Sequence, residues 1–395
     1  MSHLTHVTAV TGNYPDGQKI DRAVLTYDHP LSGEIKADCF AVEGRTITAV
    51  QVQGDTVTLH LDPREQAAGL LQLPEPEPPI PGQKPLPPIF MPPVRRRAVQ
   101  VTVKQCCAIR DADGNEIAAD GVPHVSDRAE EPVVDAFTQG EYAGIRYNLY
   151  LPENLEPGRQ YPLVLFIHDA GPCGPDHKIT LSQGLGAVGF ADPAWQKEHP
   201  CFVLAPQIDR GIYLTSDDFV CSKELEDIKA LLDHVIQINP VDRERVYTTG
   251  QSMGCMASCE LNIRYPDLFA ASLLVAGQWD PERMARACSK NQFWILVSEH
   301  DQKALPGMNA VVEAMERCGA VVARYRWDGA ADPEQLTLCA RNAMMDDVNV
   351  RYTVFSGSSV VPAGEEDNPG SNHVNTWRVA YTIDGLREWL FSCSK

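Results

Sequence analysis

The first third of the chain alternates apolar and polar residues with a period of two. Val57, Leu59 and Leu61 fall on one side while Thr56, Thr58 and His60 fall on the other, the pattern of a strand with one buried face. The same reading predicts strands over residues 23–27, 37–42, 46–52, 98–104 and 107–110. Val52-Gln53-Gly54-Asp55 and Asp113-Gly114-Asn115 supply turns. Short strands at this turn spacing predict a small all-β sandwich, immunoglobulin-like in size, over residues 1–131. Residues 74–93 interrupt the pattern with ten prolines. Proline has no donor N–H, so this stretch reads as a polyproline-type surface loop and spacer. Arg95-Arg96-Arg97, directly after it, read as a solvated strand edge.

The periodicity changes near Pro132. Strands are predicted over residues 145–151, 161–168, 201–206, 245–249, 269–276, 293–298 and 321–327, several of them almost continuously apolar. Between them, Leu225, Ile228, Leu231, Leu232, Val235 and Ile236 recur at helical spacing within 222–238. Further helices are expected over 308–318 and, closing the chain, 376–391; residues 329–349 read as an insertion with its own helix. Strands alternating with amphipathic helices predict an α/β unit over 132–395, with a mostly parallel sheet covered on both faces.

Composition narrows the function classes. Hydrophobic residues make up 44% and charged residues 22%, so both units are expected to fold. Lys and Arg number 34 against 53 Asp and Glu, a net charge of −19. A surface that acidic repels phosphates, which argues against nucleic acid and anionic membranes as partners. No apolar run approaches the roughly 20 residues of a membrane span. The N-terminus lacks a basic start followed by an apolar run, so a cytoplasmic location is expected unless a signal peptide has been removed. The twelve cysteines include no paired CxxC motifs and read as free thiols in a reducing compartment, not as a zinc site.

The chemistry centres on Gly250-Gln251-Ser252-Met253-Gly254. A strand precedes this GxSxG motif and a helix follows it, the setting of a sharp turn that exposes a serine hydroxyl at a helix N-terminus. A serine needs a base to take its proton, and the base needs a carboxylate to orient it. In this architecture the order along the chain is Ser, acid, His. His300 and His373 are the two histidines after Ser252, and His300 adjoins the candidate acid, which leaves His373, placed in a polar loop before the last helix. The acid is expected at Asp301, after the strand 293–298, with Glu299 and Asp328 as alternatives. The oxyanion hole should take the N–H of Met253 and a second donor from His168-Asp169-Ala170-Gly171, with Ala170 ahead of Asp169. A carboxylate in that loop disfavours an oxyanion unless it points away.

Other patterns read more plainly. Gly184-Leu185-Gly186-Ala187-Val188-Gly189 matches GxGxxG but lacks the flanking strand and helix of a dinucleotide site. His168, Asp176 and His177 have no metal-ligand spacing, and His168 fits the end of a buried strand. Cys173 lies near the oxyanion loop with no base assigned to it. Trp279 either walls a substrate pocket or packs in the core. No cofactor or metal is implied.

The runs Arg146-Tyr147-Asn148-Leu149-Tyr150-Leu151-Pro152, Tyr161 to Gly171 and His199 to Gln207, together with the GQSMG elbow, resemble bacterial two-domain esterases. In that group an immunoglobulin-like domain precedes an α/β-hydrolase domain, and its relatives include polyhydroxybutyrate depolymerases and feruloyl or acetyl esterases. The resemblance implies a serine carboxylesterase with Ser252, Asp301 and His373 in the triad positions, acting on a small or oligomeric ester; assembly into a homo-oligomer is an open role for the first domain, the proline-rich loop or residues 329–349. The group usually carries glycine where this chain has Asp169. A peptidase of the same fold and a decayed hydrolase serving as a binding protein are the alternative readings.

Overall fold

The computed structural model describes residues 3–72, 93–209 and 211–395. They divide into two compact units, one built from residues up to Gln72 and Arg95–Ala136, the other from Phe137–Lys395 with Pro93 and Val94. The proline-rich stretch lies outside the described residues except for Pro93.

In the first unit a long hairpin, Leu4–Tyr14 with Gly17–Tyr27, anchors a five-stranded sheet. Its spatial order is Arg128–Glu130, Leu4–Tyr14, Gly17–Tyr27, Thr56–Leu61, Ile47–Gln53. Among the described residues, two three-stranded sheets, one built on Thr102–Gln105 and Phe40–Val42 and the other on Ile109–Asp111, and the antiparallel pair Leu71–Gln72 with Arg95–Arg96 complete the unit. The predicted alternation holds: Val57, Leu59 and Leu61 are buried and pack with Val7, Leu25, Phe40 and Val103. Gln53 pairs with Thr56 across a turn in which Gly54 takes φ +60°, a conformation that favours glycine.

Three expectations need correction here. Residues 37–39 form a 3₁₀ turn, so the strand begins only at Phe40. Cys39 and Cys107 are joined in a disulfide, so two of the twelve cysteines are not free thiols. The antiparallel pairing of Phe40 with Gln105 brings Cys39, one residue beyond it, and Cys107, two residues beyond it, to a Cα separation of 4.8 Å, a proximity visible only once the register is known. The three arginines are not all solvated: Arg96 is half-buried and pairs with Glu131.

Among the described residues the second unit holds nine strands: β1 (Phe137–Tyr142), β2 (Ile145–Tyr150), β3 (Tyr161–Ile167), β4 (Phe202–Gln207), β5 (Val241–Gln251), β6 (Ala271–Val275), β7 (Phe293–Ser298), β8 (Val322–Trp327) and β9 (Val350–Phe355). They lie in the order β1-β2-β4-β3-β5-β6-β7-β9-β8. β2 runs antiparallel to both β1 and β4, and the remaining neighbours are parallel. β3, β4, β6 and β7 are buried along their whole lengths, which is why they read as continuous apolar runs. The main helices are α1 (Glu224–Ile238), α2 (Met253–Arg264), α3 (Pro281–Cys288), α4 (Ala304–Arg317), α5 (Pro333–Met344), α6 (Pro369–Ala380) and α7 (Asp384–Ser392). The apolar stripe of α1 is buried as its spacing predicts. This is an α/β-hydrolase sheet with β8 added at its edge.

Sequence patterning misses β9, whose Val350-Arg351-Tyr352-Thr353-Val354-Phe355 run sits beside the insertion that carries α5. It also joins what the structure divides: the closing helix is two helices, α6 and α7, separated at residues 381–383. In parallel sheets of this kind, chemistry gathers at the carboxyl ends of the strands, here the ends of β3, β5, β7 and β9.

Candidate active site

Ser252 sits between the last residue of β5 and the first of α2, with φ +50° and ψ −117°. The flanking glycines make that turn possible. A β-carbon on Gly254 would collide with the carbonyl oxygen of Ile167 at the end of β3. One on Gly250 would lie 2.6 Å from the Gly254 carbonyl. Strand and helix therefore approach closer than any side chain allows. The Ser252 N–H donates to Val275 O at 3.1 Å, fixing the turn against β6.

His373 lies inside α6, one turn from its start, and not in a loop as the polar sequence around it suggests. Asn368 and Ser371 form a capping box at the head of α6. Buried Asn372 accepts from Ser298 Oγ at 3.0 Å, which ties the helix start to the end of β7. His373 Nε2 comes within 2.9 Å of Ser252 Oγ, and His373 Nδ1 within 2.5 Å of Asp301 Oδ2. With Nδ1–H donating to Asp301, Nε2 is left to accept the Ser252 hydroxyl proton.

Asp301 is 2% exposed. Burial alone would push its carboxyl up; the hydrogen bond and charge of His373, with N–H bonds from Ala304 and Lys303, outweigh that and hold it below the usual value. The two N–H groups reach Oδ1 at 2.9 and 3.0 Å, leaving Oδ2 for the imidazole. The alternative acids are engaged elsewhere. Glu299 pairs with Arg326 and accepts from Gly357 N, and Asp328 accepts from Ala330 N in a turn. His300 Nδ1 lies 2.6 Å from Ser358 Oγ.

A cavity of about 570 Å³ opens over the serine. Met253, Ala170 and Asp169 line it together with Ser252, Asp301 and His373. The N–H of Met253, at the first position of α2, lies outside the helix's own ladder, as the first four N–H groups of any helix do. The Asp169 carboxylate accepts from Gly171 N at 2.7 Å and from Gln251 Nε2 at 2.8 Å. His168 is wholly buried; it donates from Nδ1 to Asp169 O at 2.6 Å and accepts from Ile208 N at Nε2, 2.9 Å away. Both ring nitrogens are occupied, so His168 braces the loop, and burial holds it below its ordinary pKa.

Trp279 does not reach the cavity. It is fully buried, donating from Nε1 to Glu260 Oε2 at 2.9 Å, while Glu260 pairs with Arg264 and Arg283. The aromatic residues that do line the cavity are Trp377 and Tyr213, neither singled out from sequence. Trp377 was within reach of pattern reasoning, since it stands four residues after His373 on one helix face, and the two rings meet edge-on at 5.1 Å. Tyr213, Thr215 and Asp217 come from a loop with no periodicity to read. Asp217 accepts from Gln278 at 2.8 Å and pairs with Lys303 at 2.6 Å, closing one rim.

The GxGxxG stretch forms a four-residue helix, Leu185–Val188, whose Gly186 packs on the Phe166 ring. Asp176 caps the turn at Lys178, and Cys173 is buried. Among the described residues no group of three His, Cys, Asp or Glu side chains is arranged to hold a metal, and no helix is long and apolar enough to cross a membrane.

Comparison with known proteins agrees with this architecture. Residues 6–118 match the family described as the esterase Ig-like N-terminal domain. The crystal structure of a thermostable esterase superposes with TM-score 0.80 at 24% identity, over 99% of this chain and 100% of that one. A feruloyl esterase module from Clostridium thermocellum, solved with sinapinate, matches 63% of this chain and 86% of its own at 14% identity, TM-score 0.43. An S-formylglutathione hydrolase from Staphylococcus aureus matches 63% and 98% at 12% identity, TM-score 0.38. The family match and the thermostable esterase agree with an immunoglobulin-like sandwich followed by a unit of α/β-hydrolase fold. No curated protein matches the chain.

Proposed function

We propose that this protein is a serine carboxylesterase working through an acyl-enzyme. The observation that carries the reading is the unbroken hydrogen-bond chain Ser252–His373–Asp301, at 2.9 and 2.5 Å, opening on a cavity. Similarity to esterases in fold supports the choice of ester over other acyl substrates.

Ser252 Oγ attacks the ester carbonyl carbon while its proton passes to His373 Nε2. Asp301 holds the imidazole in the required tautomer and stabilises the imidazolium. The carbonyl oxygen, now an oxyanion, takes N–H donors from Met253 and Ala170. The tetrahedral intermediate collapses as the carbon–oxygen bond to the alcohol breaks, and the imidazolium returns the proton to the departing alcohol. Water, deprotonated by His373, then attacks the acyl-serine carbonyl; collapse restores the hydroxyl and releases the acid.

Replacing Ser252 by alanine should lower kcat on a nitrophenyl acetate by about 10⁶, the size of nucleophile loss in subtilisin, with the circular dichroism spectrum unchanged. A folded S252A protein that keeps more than a hundredth of the activity would overturn the assignment.

A further inference from the structure

Five acidic, basic or imidazole side chains among the described residues line the cavity: Asp169, Asp217, Asp301, Lys303 and His373. Four are matched. Asp301 faces His373 at 2.5 Å, and Asp217 faces Lys303 at 2.6 Å. Asp169 is the remainder. Its two hydrogen bonds come from neutral donors, the Gly171 N–H and the Gln251 side-chain amide. Among the described residues no lysine, arginine or histidine forms an ion pair with it.

This carboxylate is held in place. Gln251, at the end of β5, is 2% exposed and grips Oδ2 from within the fold. Gly171 allows the side chain to turn back onto its own loop, because a β-carbon there would lie 2.8 Å from Asp169 Oδ1. An ionised carboxylate has about four acceptor positions and two are used here, and Asp169 is one of the residues that line the cavity over Ser252. The cavity it lines also carries the apolar side chains of Met256, Ala276, Val374 and Trp377. A fixed charge in such surroundings acts more strongly than in water, and the Trp377 ring suits an alkylated ammonium.

We propose that Asp169 selects substrate charge, favouring esters whose acyl or alcohol part carries a cationic ammonium group over uncharged esters of the same shape. The inference rests on the esterase reading of the same site.

The test compares isosteric pairs, so that any disturbance of the oxyanion hole divides out of the ratio. One pair puts the cation in the alcohol: acetylcholine against neohexyl acetate. The other puts it in the acyl group: the nitrophenyl esters of trimethylammoniobutyrate and of its all-carbon isostere. For the natural protein, kcat/KM should favour the cationic member of at least one pair by about tenfold, the effect of one charge at roughly 6 Å with an effective dielectric of about 40. Asp169→Asn keeps the acceptor for the Gly171 N–H and should bring that ratio within about twofold of unity. Added salt should shrink the preference in the natural protein, a readout independent of any variant. Ratios in both pairs that Asp169→Asn leaves unchanged, or a preference insensitive to salt, would overturn the proposal. Residual turnover by Ser252→Ala would instead overturn the nucleophile assignment beneath it.

Discussion

Gly254 shows how little freedom the site residues have. A methyl group there meets the Ile167 carbonyl, which belongs to a wholly buried strand and cannot retreat. Gly254→Ala should therefore destabilise the second unit by about 3 kcal/mol, near the upper end for overpacking, seen as a lower denaturant midpoint. A midpoint unchanged from the natural protein would show that β3 and α2 can separate. The acid can be tested at the same scale. Asp301→Asn should reduce kcat by about 10⁴, as removal of the carboxylate's charge does in chymotrypsin-like triads, because the imidazole then loses its preferred tautomer. Glu299→Gln and Asp328→Asn should each change kcat by less than about threefold, since Glu299 is committed to Arg326 and Asp328 to a turn. A larger loss from either would move the acid.

At the scale of elements, the disulfide is the feature with a measurable consequence in the first unit. It closes a separation of 68 residues between Cys39 and Cys107. Chain-entropy arguments give such a loop about 4 kcal/mol of stabilisation. Replacing both cysteines by alanine should lower the stability of the first unit by that order, measured by denaturation under oxidising conditions. Indistinguishable midpoints would mean that the bridge contributes nothing. Its absence from the sequence reading has a physical reason: adjacent Cys106 and Cys107 do not reveal which faces Cys39 until the strand register is set. Local patterns served better where one face or both are buried. The run at β7, the stripe of α1 and the GxSxG turn all state their surroundings through residue type. β9 was hidden by Arg351, a buried arginine at its second position that donates to the carbonyls of Ala343, Val348 and Asp346. The break between α6 and α7 carries neither glycine nor proline, so nothing local marked it. The position of His373 was legible from chain order, but its helical setting was not, because Gly370-Ser371-Asn372 reads as loop until the Asn368 cap and the Ser298 contact are known.

Across the whole molecule, acid should be the destabilising condition. Asp62 and Asp127 are drawn down to about 2, Asp62 by hydrogen bonds from Arg64 and Asp127 by bonds from His6 and Val7 N. Asp301 is also lowered, its burial outweighed by His373 and by the N–H groups at the head of α4. A carboxyl whose folded pKa lies below its unfolded value contributes stability that is complete above the ordinary carboxylate range and disappears as pH falls through the folded value. Thermal midpoints should thus be level between about pH 7 and 5 and fall between about pH 4 and 2. A fall already complete at pH 5 would contradict these assignments. The proposed activity depends on a covalent intermediate at one serine. Rapid mixing with a nitrophenyl acetate, followed by acid quench and peptide mass mapping, tests it most directly. An acetyl group on Ser252 is expected, with a burst of nitrophenol approaching one per protein chain where deacylation is the slower step, and neither in Ser252→Ala. An acetyl group that maps to another residue, or a Ser252→Ala protein that stays active, would contradict it.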